Sequence, residues 1–306
     1  MKITIIGAGA MGCLFGALLT EQGSDVQLVD VRREQIDTLK AQGITIRREG
    51  KERVVPVRAT TDFAKITGTE LAVIFVKHDQ TTAAAQTAAC LLGENGYALT
   101  LQNGMGNAEI IADILGKDRV ICGTTAQGAM ILGPGKIQHS GIGETVISMW
   151  GQQENTVAEE LAEEFSASGI NSQVVADIEP VLWKKLCVNV GINALTALTG
   201  LRNGQLLDQE ETRSLMRDLL AEVTTVAKAY FIDLPGNILE HVEEVARATG
   251  SNRSSMGQDV DGQRPTEIEA INGYIVRKAQ ERGIAVPVNQ TLVRLVQTVQ
   301  GHYGAS

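Results

Sequence analysis

Three polar side chains interrupt an apolar run near the middle of the chain. Within LWKKLCVNVGINALTAL, residues 182–198, Lys185, Asn189 and Asn193 follow one another at intervals of four. On a helix, that spacing places all three side chains on one face. An unpaired polar group taken out of water costs roughly 1–3 kcal/mol, so such a run would normally exclude an ammonium and two amides. The column therefore predicts the lining of a cleft in which a polar ligand completes the hydrogen bonds.

A glycine-rich loop near the start of the chain predicts a dinucleotide site. GAGAMG follows an apolar strand over 2–6 and opens a helix, which is the context that the G-x-G-x-x-G fingerprint requires. The first glycine permits a tight turn, the second lets the backbone approach a pyrophosphate, and the third allows close packing of the helix on the strand. The helix N-terminus then faces the anion. All six residues are expected to contact the cofactor: Gly7, Ala8, Gly9, Ala10, Met11 and Gly12.

The end of the second predicted strand bears on which cofactor is bound. Asp30 occupies the position where an acid commonly hydrogen-bonds the adenosine ribose, and a carboxylate there repels the 2′-phosphate of NADPH. Arg32 and Arg33 favour NADPH instead, because a guanidinium pairs with a phosphate through two hydrogen bonds. The two arginines are also explained as the solvated start of a helix. We expect NADH or NADPH, with NADH slightly favoured.

The order of predicted elements indicates an α/β protein of two domains, divided between residues 176 and 177. Residues 1–176 alternate strands with helices, which predicts parallel pairing in a Rossmann-type dinucleotide-binding domain. Residues 177–306 have helical periodicity throughout and predict an all-helical C-terminal domain. The predicted strands cover 2–6, 25–29, 71–76, 97–101, 120–124, 136–140, 145–149 and 173–175. The first predicted helix follows the glycine loop and ends near residue 22, and an alanine-rich helix begins at residue 80. The other predicted helices cover 33–42, 156–168, 181–199, 210–230, 235–248, 265–281 and 289–303.

Composition argues against several classes of protein. The net charge of −9 and the lack of a Lys and Arg cluster argue against a nucleic-acid partner. No segment reaches the roughly 18 consecutive apolar residues that a membrane span needs, so we expect a cytoplasmic protein. The histidines are isolated, which argues against a metal site. The cysteines form no C-x-x-C pair and are expected to be small buried apolar residues in a reducing compartment: Cys13, Cys90, Cys122 and Cys187.

Further polar residues stand near the ends of predicted strands and helices. Asn103 in QNGMGN and Lys77 after LAVIFV are expected at the carboxyl edge of the sheet, where nicotinamide binds. An ordinary turn asparagine and a solvated lysine explain the same two positions. Glu267 lies near the start of a predicted helix, where an acid commonly complements the helix dipole. Ser255 and Asn252 equally suit helix caps or ligand contacts.

These motifs, taken together and in this order, make the chain resemble the ketopantoate reductases (2-dehydropantoate 2-reductases). The resemblance covers nearly the whole chain, and several separated motifs discriminate better than the nucleotide fingerprint alone. It departs after the second strand, where many family members place an arginine close to the strand end; here Asp30 and Val31 precede Arg32. The matching motifs are GAGAMG, VKHDQ, QNGMGN, LWKKLCVNVGINALTAL, NGQL, SSMGQDV, TEIEAINGYIVRKA and GIAVPVN.

The resemblance implies an NAD(P)H-dependent reduction of ketopantoate to D-pantoate in pantothenate and coenzyme A biosynthesis, with Lys185 as the general acid. It also implies a possible homodimer. The implied substrate contacts are Asn103, Asn189, Asn193, Asn203, Asn252 and Ser255. The implied cofactor contacts, beyond the glycine loop, are Asp30, Arg32, Lys77, Asn103, Ala129 and Glu267.

Physical chemistry supports the role of Lys185. Hydride transfer to a keto carbon leaves negative charge on the carbonyl oxygen, which needs an acid within hydrogen-bond reach. Burial lowers the proton affinity of a lysine toward neutral pH. Two alternatives stay open: an NAD-dependent D-2-hydroxyacid dehydrogenase for branched or aromatic 2-keto acids, and a noncatalytic protein that senses NAD(P)H. Retention of Lys185 argues against the sensor, because a sensor needs no proton donor.

Overall fold

The computed structural model describes residues 1–151 and 156–304. The chain divides into two compact units. Unit 1 comprises Met1–Gln102 and Asn107–Ile178, and unit 2 comprises Asn103–Gly106 and Glu179–Ser306. The short loop Asn103–Gly106, which follows a strand of unit 1, therefore groups with the unit that carries Lys185.

Unit 1 is built on a predominantly parallel eight-stranded sheet. The strands of unit 1, in both of its sheets, are β1 Lys2–Ile6, β2 Asp25–Val29, β3 Ile44–Arg48, β4 Lys51–Val55, β5 Arg58–Thr60, β6 Thr69–Ile74, β7 Leu92–Thr100, β8 Val120–Thr125, β9 Gly128–Gly133, β10 Lys136–Gly141, β11 Thr145–Met149 and β12 Ser172–Val174. The order in the eight-stranded sheet is β12-β11-β8-β7-β6-β1-β2-β5, and every neighbouring pair is parallel except β11 with β8. The helices are α1 Ala10–Glu21, α2 Arg33–Gln42, α3 Thr81–Leu91, α4 Asn107–Leu115 and α5 Thr156–Ala167. The predicted α/β class is confirmed.

A second, four-stranded sheet in unit 1 was not predicted. Its order is β4-β3-β10-β9, with β3 and β10 parallel and the other pairs antiparallel. β4, of sequence KERVV, and β9, of sequence GAMILG, are largely exposed, so neither shows the buried apolar run that marks the strands of the main sheet. The predicted strand over 136–140 is present as β10, but it belongs to this sheet rather than to the main one.

All the regular secondary structure described in unit 2 is helical. The helices are α6 Glu179–Thr199, α7 Glu210–Ala229, α8 Ile238–Ala248, α9 Ser255–Asp261, α10 Asn272–Glu281 and α11 Pro287–Gln300. Sequence analysis missed α9, because its short polar sequence has no apolar period. The predicted helix over 265–281 is wrong in its first part, since α10 begins only at Asn272. Glu267 instead lies in a turn, where its carbonyl accepts hydrogen bonds from the amides of Ala270 and Ile271.

Helix α6 forms the core of unit 2. Its buried side chains include Trp183, Leu186, Cys187 and Val190. By length and composition alone α6 could cross a membrane, but 67% of its apolar window is buried inside the protein, as in the core helix of a globular domain. A helix buried on most of its surface holds its side chains in fixed positions, which is what the polar column requires.

One cysteine differs from expectation. Cys13, Cys122 and Cys187 are buried, and burial raises the pKa of each thiol above its usual range. Cys90, on α3, is exposed, so the prediction of a buried cysteine is wrong there. It lies in the last turn of α3, on the helix face that turns away from the buried alanines.

The glycine loop between β1 and α1 has two glycines that packing requires and one that it does not. Gly7 has φ +104°, a value that favours glycine, and its amide donates to the Val29 carbonyl at 2.8 Å. A Cβ on Gly12 would lie 1.9 Å from the Gly7 carbonyl oxygen. A Cβ on Gly9 would meet nothing within 4 Å. Open space thus remains above Gly9, which is the N-cap of α1 and has no side chain with which to cap the helix.

Two alanine substitutions separate these roles. Gly12→Ala is expected to lower the free energy of unfolding by about 3 kcal/mol, because two backbone segments would overlap. Gly9→Ala is expected to cost less than about 1 kcal/mol, but to weaken NADH binding at least tenfold by filling the open space. Urea denaturation and fluorescence titration with NADH measure the two effects. Unchanged NADH affinity in Gly9→Ala would show that this space does not receive the cofactor.

Candidate functional site

The polar column predicted from spacing lies along α6. Asn193 is only 6% exposed, and Lys185 and Asn189 are partly buried. Among the described residues, the Nδ2 atoms of Asn189 and Asn193 are buried and have no hydrogen-bond partner. Most buried polar atoms in folded proteins are paired, so two unpaired amide donors on one helix face need an explanation. They fit a ligand that brings oxygen acceptors to this face.

Lys185 has a perturbed proton affinity. Burial lowers its pKa from 10.5 to about 8, while the negative charge of Glu267 acts in the opposite direction. Burial dominates because the hydration free energy that the ammonium loses is larger than its electrostatic attraction to the Glu267 carboxylate. A lysine of this pKa is largely protonated at neutral pH, yet it releases its proton more readily than a lysine in water.

Glu267 and Asn103 lie together in unit 2. Glu267 is 8% exposed, and the Asn103 side-chain amide donates to its carboxylate at 3.4 Å. A backbone hydrogen bond also fixes the loop Asn103–Gly106, because the Met105 amide donates to the Ala270 carbonyl at 2.8 Å. At Gly104, whose φ is +79°, a Cβ would lie 2.5 Å from the Ala270 side chain. The loop that carries Asn103 thus packs directly on the turn that carries Glu267.

Asn203 lies beyond the end of α6 and is largely buried. Its backbone amide donates to the Asn252 carbonyl at 3.0 Å, and its side-chain amide donates to the Thr249 hydroxyl at 2.9 Å. The Asn203 Oδ1 atom is buried and has no partner among the described residues. It is a candidate acceptor for a hydroxyl group of a ligand.

Two neighbouring serines have different roles at the start of α9. Ser254 is buried and caps α9, its hydroxyl accepting from the Gly257 amide at 2.9 Å and from the Thr196 hydroxyl at 2.6 Å. Ser255 is the first residue of α9 and is exposed, as is Asn252. The cap of α9 is therefore Ser254, which sequence analysis did not single out. Ser255 and Asn252 do not cap this helix, and their ligand role stays a prediction.

Asp30 is engaged by protein donors on both oxygens. Its Oδ1 accepts from the backbone amide and Nε of Arg32, each at 2.9 Å, and its Oδ2 accepts from the Ala8 amide and Arg32 Nη2, each at 2.8 Å. Burial acts to raise the pKa of Asp30, but the hydrogen bonds from Arg32 outweigh it and the pKa is lowered. A carboxylate offers about four acceptor positions. A ribose hydroxyl would thus have to displace a bond from Arg32, whose side chain is 52% exposed.

Gln35, on α2, holds the glycine loop and was missed by sequence analysis. It is buried on α2, where its Nε2 donates to the Ala8 carbonyl at 2.9 Å and its Oε1 accepts from the Gly135 amide at 3.0 Å. Both backbone polar groups of Ala8 are thus hydrogen-bonded: its amide donates to Asp30 and its carbonyl accepts from Gln35. The available signal was an uncharged polar residue beside Ile36 on the buried face of a short amphipathic helix.

The remaining predicted residues lie in unit 1. Lys77 follows β6 and is partly buried, and Ala129 lies in β9 opposite His139 of β10. A hydrogen-bonded network runs along the carboxyl ends of β6 and β7. It comprises Thr100, Gln102, Thr81, Asn107 and His78, and it ties the Gln102 side chain to the Val76 carbonyl at 2.8 Å. The open space above Gly9 and the uncapped start of α1 fit a dinucleotide phosphate.

The chain is similar to known proteins over nearly its whole length. Models described as "Ketopantoate reductase PanE/ApbA" and its C-terminal part match residues 3–152 and 177–300. A 2-dehydropantoate 2-reductase of Halobacterium salinarum is 34% identical over 98% of this chain and 99% of that protein. A ketopantoate reductase of Ralstonia eutropha is similar with a TM-score of 0.91 and 31% identity, covering 99% of both chains. D-mandelate dehydrogenase, solved with NADH and anilino(oxo)acetate, is similar with a TM-score of 0.94 and 28% identity, also over 99% of both chains. The chain belongs to the ketopantoate reductase family.

Proposed function

We propose that the protein reduces ketopantoate to D-pantoate with NADH or NADPH, and that Lys185 is the general acid. The observation that carries this proposal is the polar column of α6, in which a lysine of lowered pKa precedes two buried amide nitrogens that have no hydrogen-bond partner among the described residues. The curated relative from Halobacterium salinarum, named 2-dehydropantoate 2-reductase, supports the same reaction. Residues 1–176 would bind the cofactor and residues 177–306 the substrate.

In the proposed mechanism, a reduced nicotinamide cofactor held at the glycine loop would supply the hydride for the keto carbon. Negative charge then develops on the keto oxygen, and the Lys185 ammonium stabilises it and donates the proton. Glu267 keeps the lysine more protonated than burial alone would allow. Asn103, hydrogen-bonded to Glu267, holds that carboxylate in place. After proton donation, the neutral amine is tolerated at this site because burial disfavours its charged form.

The unpaired atoms indicate which groups the substrate offers. The amide donors of Asn189 and Asn193 suit the acceptor oxygens of a keto acid, and the Asn203 Oδ1 acceptor suits a hydroxyl hydrogen. Ketopantoate carries both kinds of group. A branched keto acid without a hydroxyl would leave the Asn203 acceptor buried and unpaired, which costs about 1–3 kcal/mol. Ser255, exposed at the start of α9, supplies a further donor for the carboxylate.

A second candidate is an NAD-dependent D-2-hydroxyacid dehydrogenase. The fold similarity to D-mandelate dehydrogenase, which was solved with NADH, favours it. Both reactions use the same lysine and the same hydride transfer, so they differ in the side chain of the keto acid. The Asn203 Oδ1 atom, which has no partner among the described residues, favours ketopantoate, because an aromatic or branched aliphatic side chain has no hydrogen-bond donor to offer it.

We infer that NADH is slightly preferred. The 2′-phosphate of NADPH would approach the Asp30 carboxylate, whose pKa is lowered and which is therefore ionised. Arg32 could reach the phosphate only by giving up its two side-chain hydrogen bonds to Asp30. Arg33 is exposed and offers a weaker, solvent-screened attraction. Lys77, Ala129 and the glycine loop are proposed contacts that both cofactors would share.

We also infer a cytoplasmic location, consistent with three buried cysteines of raised pKa and no disulfide among the described residues. A homodimer is proposed from the family alone. The partners are otherwise a small 2-keto acid and a nicotinamide cofactor.

Initial rates of cofactor oxidation with ketopantoate and with 2-ketoisovalerate test the substrate. The second compound lacks the hydroxyl group that Asn203 would bind, so its kcat/KM is expected to be lower by about tenfold or more. Phenylglyoxylate, the keto acid of D-mandelate, serves as the comparison for the second candidate. If 2-ketoisovalerate or phenylglyoxylate gives a higher kcat/KM than ketopantoate, that acid replaces ketopantoate as the proposed substrate.

Substitution of Lys185 tests the acid. Lys185→Ala is expected to lower kcat by about 10²–10⁴-fold, while the NADH dissociation constant changes little. In the wild type, kcat/KM for the keto acid should fall as pH rises through about 8, because the ammonium then loses its proton. This decrease of kcat/KM at high pH should be absent from the residual activity of Lys185→Ala. Lys184→Ala, at the exposed neighbouring position, is the control and should resemble the wild type.

Asp30→Asn tests the cofactor preference. Removing the negative charge frees Arg32 for a 2′-phosphate, so the ratio of kcat/KM for NADPH to that for NADH should rise about tenfold or more. Asp37→Asn, a change of the same chemistry at an exposed position of α2, is the matched control. If the ratio in Asp30→Asn equals that of the wild type, the Asp30–Arg32 pair does not set the preference.

A further inference from the structure

Arg253 makes four hydrogen bonds to three groups of unit 2, which lie on α6, just after α6 and on α9. Its Nε and Nη2 donate to the two carboxylate oxygens of Asp261, at 2.7 and 2.8 Å, and Asp261 is the last residue of α9. Its Nη1 donates to the carbonyl of Leu201 at 2.9 Å and to the carbonyl of Thr196. The Arg253 side chain is only 16% exposed. The guanidinium thus joins the C-terminal end of α6 to the last residue of α9.

A hydroxyl chain ties the same two helices beside the guanidinium. The Thr196 hydroxyl donates to the Ser254 hydroxyl, which caps α9, and it lies within hydrogen-bond distance of the Asn193 carbonyl at 3.0 Å. Thr196 is fully buried. The first turn of α9, which carries Ser255, is therefore held in register with the turn of α6 that carries Asn193.

Gly257 makes room for this contact. A Cβ at that position would lie 2.7 Å from the Arg253 Cζ atom, so the guanidinium rests against the glycine backbone. A glycine inside a helix costs roughly 0.5–1 kcal/mol relative to alanine. Its presence in the middle of α9 is explained by the guanidinium that occupies the space of the missing side chain.

We propose that Arg253 is a positioning residue that fixes the distance between Ser255 and Asn193, and so the fit of the keto acid between them. This inference rests on the proposed function, in which both residues hold the substrate. The charge of Arg253 is balanced by Asp261 through two hydrogen bonds, so its effect is geometric rather than a long-range attraction for the anionic substrate. The rigid fork of arginine suits four simultaneous bonds, and the single ammonium of lysine does not.

Steady-state kinetics of Arg253→Lys and Gly257→Ala test the proposal. Arg253→Lys keeps the charge but loses the fork, and Gly257→Ala keeps every charged group but displaces the guanidinium. Both are expected to raise KM for ketopantoate about tenfold or more, to change kcat by less than about threefold, and to leave the NADH dissociation constant unchanged. Arg247→Lys, the same change at an exposed position of α8, is the control.

Several outcomes would overturn the proposal. A wild-type KM in Arg253→Lys, or in Gly257→Ala if the lysine variant does not fold, would show that the contacts do not position the substrate. Equal losses of keto-acid and NADH binding would indicate a general structural role instead. If the wild type does not reduce ketopantoate, the proposed function fails separately, and the same variants are compared with whichever 2-keto acid the wild type reduces.

Discussion

The burial of a lysine and two asparagines on one face of α6 is the constraint on which the site depends. Desolvation disfavours the charged form of Lys185 and lowers its pKa to about 8, so the fold gives up stability to hold an ammonium in this place. That arrangement is sustainable only on a helix whose other faces are packed. α6 meets this condition, because Trp183, Leu186 and Val190 are buried in the core of unit 2.

The surroundings of Lys185 follow from the same constraint. A buried ammonium needs a counter-charge close by, and Glu267 supplies it. Glu267 lies in a turn before α10 rather than within a helix, and the turn leaves the Ala270 carbonyl free to accept from the Met105 amide. The loop Asn103–Gly106 is thereby fixed to unit 2, although it follows a strand of unit 1. The departure from the predicted helix is thus what brings Asn103 to Glu267.

Much of this architecture could be predicted from the sequence, and the exceptions share a physical cause. The glycine loop and α6 have strong local signals, since spacing alone defines their geometry. β4 has the mostly polar sequence KERVV, whereas β9 carries the apolar residues Met130, Ile131 and Leu132, which sequence analysis missed and which are exposed in the structure. Ser254 and Gln35 act through partners distant along the chain, at Thr196 and Gly135, which no local pattern encodes.

The cofactor end shows why residue type alone could not decide between NADH and NADPH. Asp30 and Arg32 give opposite indications when each is considered separately. In the structure they form one unit, because Arg32 uses its side chain and its backbone amide to bind the same carboxylate. The pair is close to neutral, so its influence on a 2′-phosphate depends on the cost of separating it rather than on either charge. In the proposed preference for NADH, the free energy of separating Arg32 from Asp30 is therefore the quantity that opposes binding of a 2′-phosphate.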